Sequence, residues 1–291
     1  MATTSETETL PAGLAAETAD FYREAMATLE AAGVPFLVGG AYAYARYTGI
    51  VRHTKDFDVF LRLRDFDRAL DALTCRGWRP ERTSPHWLGK AYQGDDFVDL
   101  IFSSGNGVAQ VDDVWFEHAV EETVLDRPAR LVPAEEMIWS KAFIMERERF
   151  DGADIAHLLH ARAADLDWDR LLRRFEPHDG WRVLLAHLIL FGYIYPGAAQ
   201  LIPGSVLATL AGRLTGDGGN ATGAAGPVAD ERICRGPILS RSQYLVDIVQ
   251  WGYEDARLRP EGSMSPKDVA HWTSAAEQDG DTSQLAAIEG E

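Results

Sequence analysis

Two aspartates one residue apart, Asp56 and Asp58, close the run Arg52-His53-Thr54-Lys55-Asp56-Phe57-Asp58, downstream of the pair Gly39-Gly40. Phe57, Val59 and Leu61 alternate with Asp56, Asp58 and Phe60, which is the period of a strand. The two carboxylates then share one face at roughly 6 to 7 Å, while Phe57 and Val59 face the core. Asp99 is the only acid inside the apolar run Val98-Asp99-Leu100-Ile101-Phe102, and an adjacent strand there brings it beside the first pair. Two unit charges about 5 Å apart repel by ~3 kcal/mol at an effective dielectric near 20, so three converging carboxylates are unfavourable unless a cation neutralises them. Hard oxygen donors favour Mg²⁺ or Mn²⁺, and ions held this way can stabilise an in-line phosphoryl displacement. The two glycines suit the same chemistry. A Gly-Gly turn at a strand end lets backbone amides approach phosphate oxygens, and a following helix presents its positive N-terminus to them.

The elements that must position these residues follow from hydrophobic spacing. Ala12 to Ala32 has helical periodicity and ends at Gly33; Pro35 to Val38 is a short strand that runs into Gly39-Gly40; Ala41 to Tyr47 suits a helix. Arg64 to Cys75 is helical again. Trp87 to Gln93 and Phe97 to Phe102 read as strands joined by the turn Gly94-Asp95-Asp96. The first half is therefore a small mixed β-sheet with helices. From Pro133 the pattern is almost purely helical, over Ala134 to Met145, Ala153 to Ala163, Trp168 to Phe175, Trp181 to Ile194 and Ser240 to Ala256. Gly212 to Gly226 reads as a flexible loop. The division expected is 1–130, 131–258 as a helical domain, and 259–291 as a weakly ordered acidic tail. The fold class is α+β.

Composition narrows the partners. The 291 residues hold 45 acidic and 28 basic side chains, a formal charge of -17, which disfavours nucleic acid and favours cationic small molecules. Cys75 and Cys234 have no CxxC or Cys/His ligand spacing, so neither a disulfide framework nor a structural zinc is implied, and a reducing cytoplasm is expected. Met1 to Leu10 is polar and acidic, unlike a signal peptide. The longest apolar stretch, Val183 to Tyr195, falls short of the ~20 residues that span a bilayer, so no membrane association is expected.

Gly-Gly, Asp-x-Asp and a distant Asp, in that order, resemble the nucleotidyltransferase superfamily related to DNA polymerase β, in Gly39, Gly40, Asp56, Asp58 and Asp99. Residues 41 through 55 separate the glycines from the first Asp, slightly more than the family's usual spacing. Arg52-x-Thr54-x-Asp56-x-Asp58 also resembles the pattern of the lincosamide-modifying and abortive-infection branches. The resemblance covers roughly residues 34 to 160. It implies a nucleotidyltransferase domain followed by an all-helical domain. It also implies transfer of a nucleoside monophosphate from an NTP, ATP being the expected one, to an acceptor hydroxyl with release of pyrophosphate. Asp56, Asp58 and Asp99 would be the catalytic, metal-holding carboxylates, with Gly39, Gly40, Arg52, Thr54 and Lys141 binding the nucleotide. An antibiotic-like acceptor is the first expectation. Three alternatives stay open: a catalytically idle, antitoxin-like binding protein; a toxin-type enzyme acting on protein or tRNA; and an Asp-x-Asp glycosyltransferase.

Several residues have plainer readings. Lys141 can snorkel over apolar surface, Asp151 and Asp154 suit a helix start, and His157 and His160 lack a companion ligand. The sequence leaves oligomeric state open.

Overall fold

In the computed structural model, residues 14–52, 54–215 and 232–278 are described. They fall into two units: one runs up to Ser104 and resumes over Gln110–Pro133, the other comprises Gly105–Ala109 and the chain from Ala134.

In the first unit the order is α1 (Ala16–Ala31), β1 (Leu37–Val38), α2 (Gly40–Thr48), β2 (Phe57–Phe60), α3 (Leu63–Cys75), β3 (Arg79–Ser84), β4 (Leu88–Gln93), β5 (Asp96–Ile101), α4 (Asp113–Glu117), β6 (Val120–Val124) and β7 (Arg127–Leu131). The strands form one sheet in the order β3-β4-β5-β2-β1-β7-β6. Pairs β2–β5 and β1–β7 are parallel, the other four antiparallel, so the mixed sheet expected from sequence is present. Phe57, Val59, Val98 and Leu100 are fully buried and lie in register across β2 and β5. They meet α1, where Tyr22 stacks on Phe57 at 4.6 Å between ring centres. The helix α1 buries Phe21, Tyr22, Ala25, Met26 and Leu29, one stripe of a 3.6-residue period, and Gly33 turns the chain at φ +64°.

Three strands lie outside the sequence expectation. β3 is a polar sheet-edge strand, Arg-Pro-Glu-Arg-Thr-Ser, with no apolar alternation to announce it. The hairpin β6–β7 turns through Leu125 and Asp126, both at positive φ, where a glycine would have been the usual signal.

The second unit holds α5 (Ala134–Ala142), α6 (Gly152–Arg162), α7 (Trp168–Arg174), α8 (Trp181–Ile194) and α9 (Gly204–Thr215). It continues with β8 (Ile233–Cys234), α10 (Gly236–Leu239), α11 (Leu245–Val249), β9 (Glu254–Asp255) and α12 (Pro266–Gln278). It is predominantly helical, and α5, α7 and their neighbours are tied by a buried ion network. Arg170 lies 2.5 Å from Glu135 and 2.7 Å from Glu136, and Arg174 lies 3.0 Å from Glu136. The helix expected over Ser240 to Ala256 is corrected to a single short helix, α11. Gly252 at φ +72° turns the chain, and Glu254 and Asp255 instead pair with β8. Gly212 to Thr215 belong to α9 and not to a loop, while residues 216–226 of that expected loop lie outside the described residues. Part of the segment read as a polar tail is helical: Met264 is buried, Ser265 and Asp268 bond reciprocally at the start of α12, and Trp272 meets Gly105. Residues 279–291 lie outside the described residues.

Candidate active site

Asp58 and Asp99 are directly paired in the parallel ladder of β2 and β5. Neighbouring strands lie about 4.8 Å apart and paired residues point to the same face, so the two carboxylates occupy adjacent positions on the face opposite Phe57 and Val59. Asp56 immediately precedes β2 and is exposed, Asp58 is half-buried and Asp99 is buried. Thr54 shapes the approach: its hydroxyl accepts a hydrogen bond from the Asp56 amide at 3.2 Å. Tyr22 braces the same segment from α1, donating its hydroxyl to the Lys55 carbonyl at 3.0 Å. The Tyr22 hydroxyl is pushed up to about 12, first by burial and then by Asp96, Asp56, Asp58 and Asp99, which marks this end of the sheet as electronegative.

Both glycines lie against β2, Gly40 beside Asp58 itself. The Gly39 amide donates to the Asp58 carbonyl at 3.0 Å, extending the ladder by one residue beyond β1. Gly40 opens α2 at φ +52°, and a Cβ there would overlap Oδ2 of Asp58; a Cβ on Gly39 would overlap the Phe60 ring. A side chain at either position would therefore force Asp58 or Phe60 to shift. The first amides of an α-helix have no intrahelical acceptor, so the start of α2 offers donors beside the Asp58 carboxylate.

Asp99 has a cationic neighbour that the motif reading missed. Lys90, its partner across β4 and β5, sets its ammonium 2.6 Å from Asp99 Oδ1. Burial pushes the Asp99 carboxyl above its ordinary value, Lys90 opposes this by hydrogen bond and charge, and Asp56 adds to the rise. The donor chemistry is all carboxylate oxygen, which fits a hard divalent cation, and Lys90 is bonded to the Asp99 member. Among the described residues no three such side chains converge as a ready-made metal cluster.

Arg52 lies on the loop after α2, where Nη2 donates to the Tyr44 hydroxyl at 3.1 Å and the guanidinium lies 4.4 Å from that ring's centre. Arg52 and Thr54 line a cavity of about 170 Å³ with Tyr42, Arg46, Glu122 and Leu125, and none of the three carboxylates lines it. Lys141 belongs to the second unit, where its ammonium sits 2.9 Å from both Asp151 and Asp154.

The model of a family described as uncharacterised nucleotidyltransferase matches residues 15–195, well over half of the chain. Among solved structures the chain is similar to ANT(2'')-Ia in complex with adenylyl-2''-tobramycin, at 15% identity and TM-score 0.36 over 68% of this chain and 99% of that one. It is also similar to the lincosamide antibiotic adenylyltransferase LnuA bound to lincomycin, at 16% identity and TM-score 0.35 over 49% of this chain and 95% of that one. A third is an antigenic nucleotidyltransferase-like protein from Paracoccidioides brasiliensis, at 13% identity and TM-score 0.43 over 65% and 93%. No curated protein matches. Among the described residues no helix is long and apolar enough to cross a membrane.

Proposed function

The chain belongs to the uncharacterised nucleotidyltransferase family, and from that premise we propose that it transfers a nucleoside monophosphate from an NTP, with ATP first in line, to the hydroxyl of a small cationic acceptor. The acceptor oxygen attacks the α-phosphorus, the bond from that phosphorus to the bridging oxygen breaks, and pyrophosphate leaves. The acceptor proton passes to Asp99, whose burial makes it a better base than an exposed carboxylate and whose Oδ2 is not taken up by Lys90. Gly39 and Gly40 let the chain and the start of α2 approach the triphosphate, and Arg52 supplies a fork for its outer phosphates. Asp56 and Asp58 are the residues that would hold Mg²⁺ or Mn²⁺, which supplies neutralising charge to the reacting phosphate. The formal charge of -17 supports the cationic acceptor, because a negative cleft concentrates cations and repels polyanions.

The observation that supports this reading most is the cross-strand pairing of Asp58 with Asp99, with Gly40 bare beneath the Asp58 carboxylate. A second reading, a catalytically idle relative that keeps the fold, draws support from the Lys90–Asp99 ion pair. Incubation of the full chain with α-labelled NTPs, Mg²⁺ and a panel of aminoglycoside-like, lincosamide-like, peptide and tRNA acceptors tests both. Label transfer lost in Asp56→Asn supports the enzyme; no transfer to any acceptor and no nucleotide binding supports the idle relative.

A further inference from the structure

Lys90 faces Asp99 across β4 and β5, and Asp99 faces Asp58 across β5 and β2, so one cation and two carboxylates form a row over three neighbouring strands. The ammonium lies 2.6 Å from Asp99 Oδ1 and 3.9 Å from the centre of the Phe97 ring. Phe97 precedes Asp99 by two residues and shares its face, so carboxylate and ring hold the ammonium together. Both partners are shielded, with side-chain exposures of 18% for Lys90 and 12% for Asp99. A surface lysine ordinarily carries its ammonium into water on a flexible stem. This one is docked over a carboxylate. A divalent ion bound to Asp99 would stand a few ångströms from that ammonium, where water is partly excluded and like charges repel strongly.

Resting on the nucleotidyltransferase reading above, we propose that Lys90 is a fixed cation of the site: its ammonium takes the place at Asp99 that a second divalent ion would take, so the chain works with a single divalent ion held by Asp56 and Asp58. The arrangement makes one specific demand. Removing the ammonium must open Asp99 to a second ion, and removing Asp99 as well must close that opening.

Counting Mn²⁺ per chain by electron paramagnetic resonance tests this, in the presence of saturating ATP analogue with a methylene bridge between the α- and β-phosphates. The signal is corrected against analogue alone. The wild-type chain and Lys90→Arg bind one ion, Lys90→Met and Lys90→Gln bind two, and the double variant Lys90→Met, Asp99→Asn returns to one. Melting curves establish which variants are folded, and either neutral substitution suffices for the count. Two ions in the wild-type chain, or one ion in the folded neutral variants, overturns the role of Lys90 and leaves the nucleotidyltransferase reading standing. No ion in the wild-type chain overturns that reading, and the role of Lys90 falls with it.

Discussion

The carboxylate of Asp58 rests on the α-carbon of Gly40, so closely that a methyl group at Gly40 would overlap its Oδ2. Gly40 also has φ +52°, a conformation that strains a residue with a Cβ by roughly 1 to 2 kcal/mol. Gly49, which caps α2 at φ +72°, carries the same backbone demand with nothing within 4 Å of an added Cβ. The pair separates strain from clash. Gly49→Ala is expected to lower stability by about 1 to 2 kcal/mol and to leave nucleotide binding intact. Gly40→Ala is expected to lose nucleotide and Mn²⁺ binding in addition, because the Asp58 carboxylate must move. Thermal melts and calorimetric titrations of both variants provide the comparison, and equal nucleotide affinity in the two would remove Gly40 from the site.

Asp56 and Asp58 lie at the electronegative end of the sheet and outside the apolar face of Phe57 and Val59. Asp56→Asn and Asp58→Asn are therefore expected to fold, with stability within about 1 kcal/mol of the parent chain, since neither substitution leaves a cavity in the apolar core. Metal-dependent transfer is expected to fall by at least about a hundredfold. Turnover near the parent rate in either variant would show that these carboxylates do not hold the reacting ion.

The carboxylate row was legible because strand periodicity is a two-residue rule. Phe57 and Val59 announced which face is buried, and that fixed Asp58 on the other; the isolated acid among Val98, Leu100 and Ile101 then marked the neighbouring strand. Lys90 was legible in principle. A two-residue hairpin loop at Gly94 and Asp95 puts Gln93 opposite Asp96, and counting outward from there puts Lys90 opposite Asp99. A turn over Gly94-Asp95-Asp96, one residue wider, shifts that count and hides the pairing. β3 and the hairpin β6–β7 gave no comparable signal, because polar edge strands and a Leu-Asp turn carry neither alternation nor glycine. Ser240 to Ala256 had helical spacing, but Gly252 and the pairing of Glu254 with Ile233 overrode it. Lys141 was singled out through the family resemblance, while its two carboxylate partners could be found only once α6 was packed against α5.

His187 gives the second unit a pH response independent of the site. Its ring is buried on α8, with Nε2 2.9 Å from the Ala142 carbonyl. Burial lowers its pKa below the ordinary value, against the opposing hydrogen bond to Ala142. A depressed folded-state pKa means that the unfolded chain takes the proton first. Stability from this group is present above its unfolded value, about 6.5, and is lost as pH falls through the folded one. The melting temperature is expected to drop between pH 7.5 and 5, and His187→Gln is expected to flatten that part of the profile. An unchanged slope in a folded His187→Gln chain would assign the response to other groups.

Substitution of Arg52 is expected to distinguish the proposed triphosphate grip from the proposed metal site. Its guanidinium is stacked on Tyr44 and bonded to the Tyr44 hydroxyl, so it stands pre-oriented beside α2 four residues before Asp56. A charge-assisted phosphate contact contributes about 1.5 to 3 kcal/mol, so Arg52→Ala is expected to weaken ATP binding roughly ten- to a hundredfold. AMP lacks the outer phosphates and is expected to bind almost unchanged. Arg52→Lys recovers only part of the loss, because an ammonium cannot reproduce the bidentate fork. Tyr44→Phe keeps the stacked ring, removes the hydroxyl that fixes the fork, and is expected to weaken ATP binding by a smaller factor than Arg52→Ala. Calorimetric titration of ATP and AMP against the three variants checks the assignment. An equal loss for both nucleotides in Arg52→Ala would mean that Arg52 supports the loop after α2 and does not grip the outer phosphates.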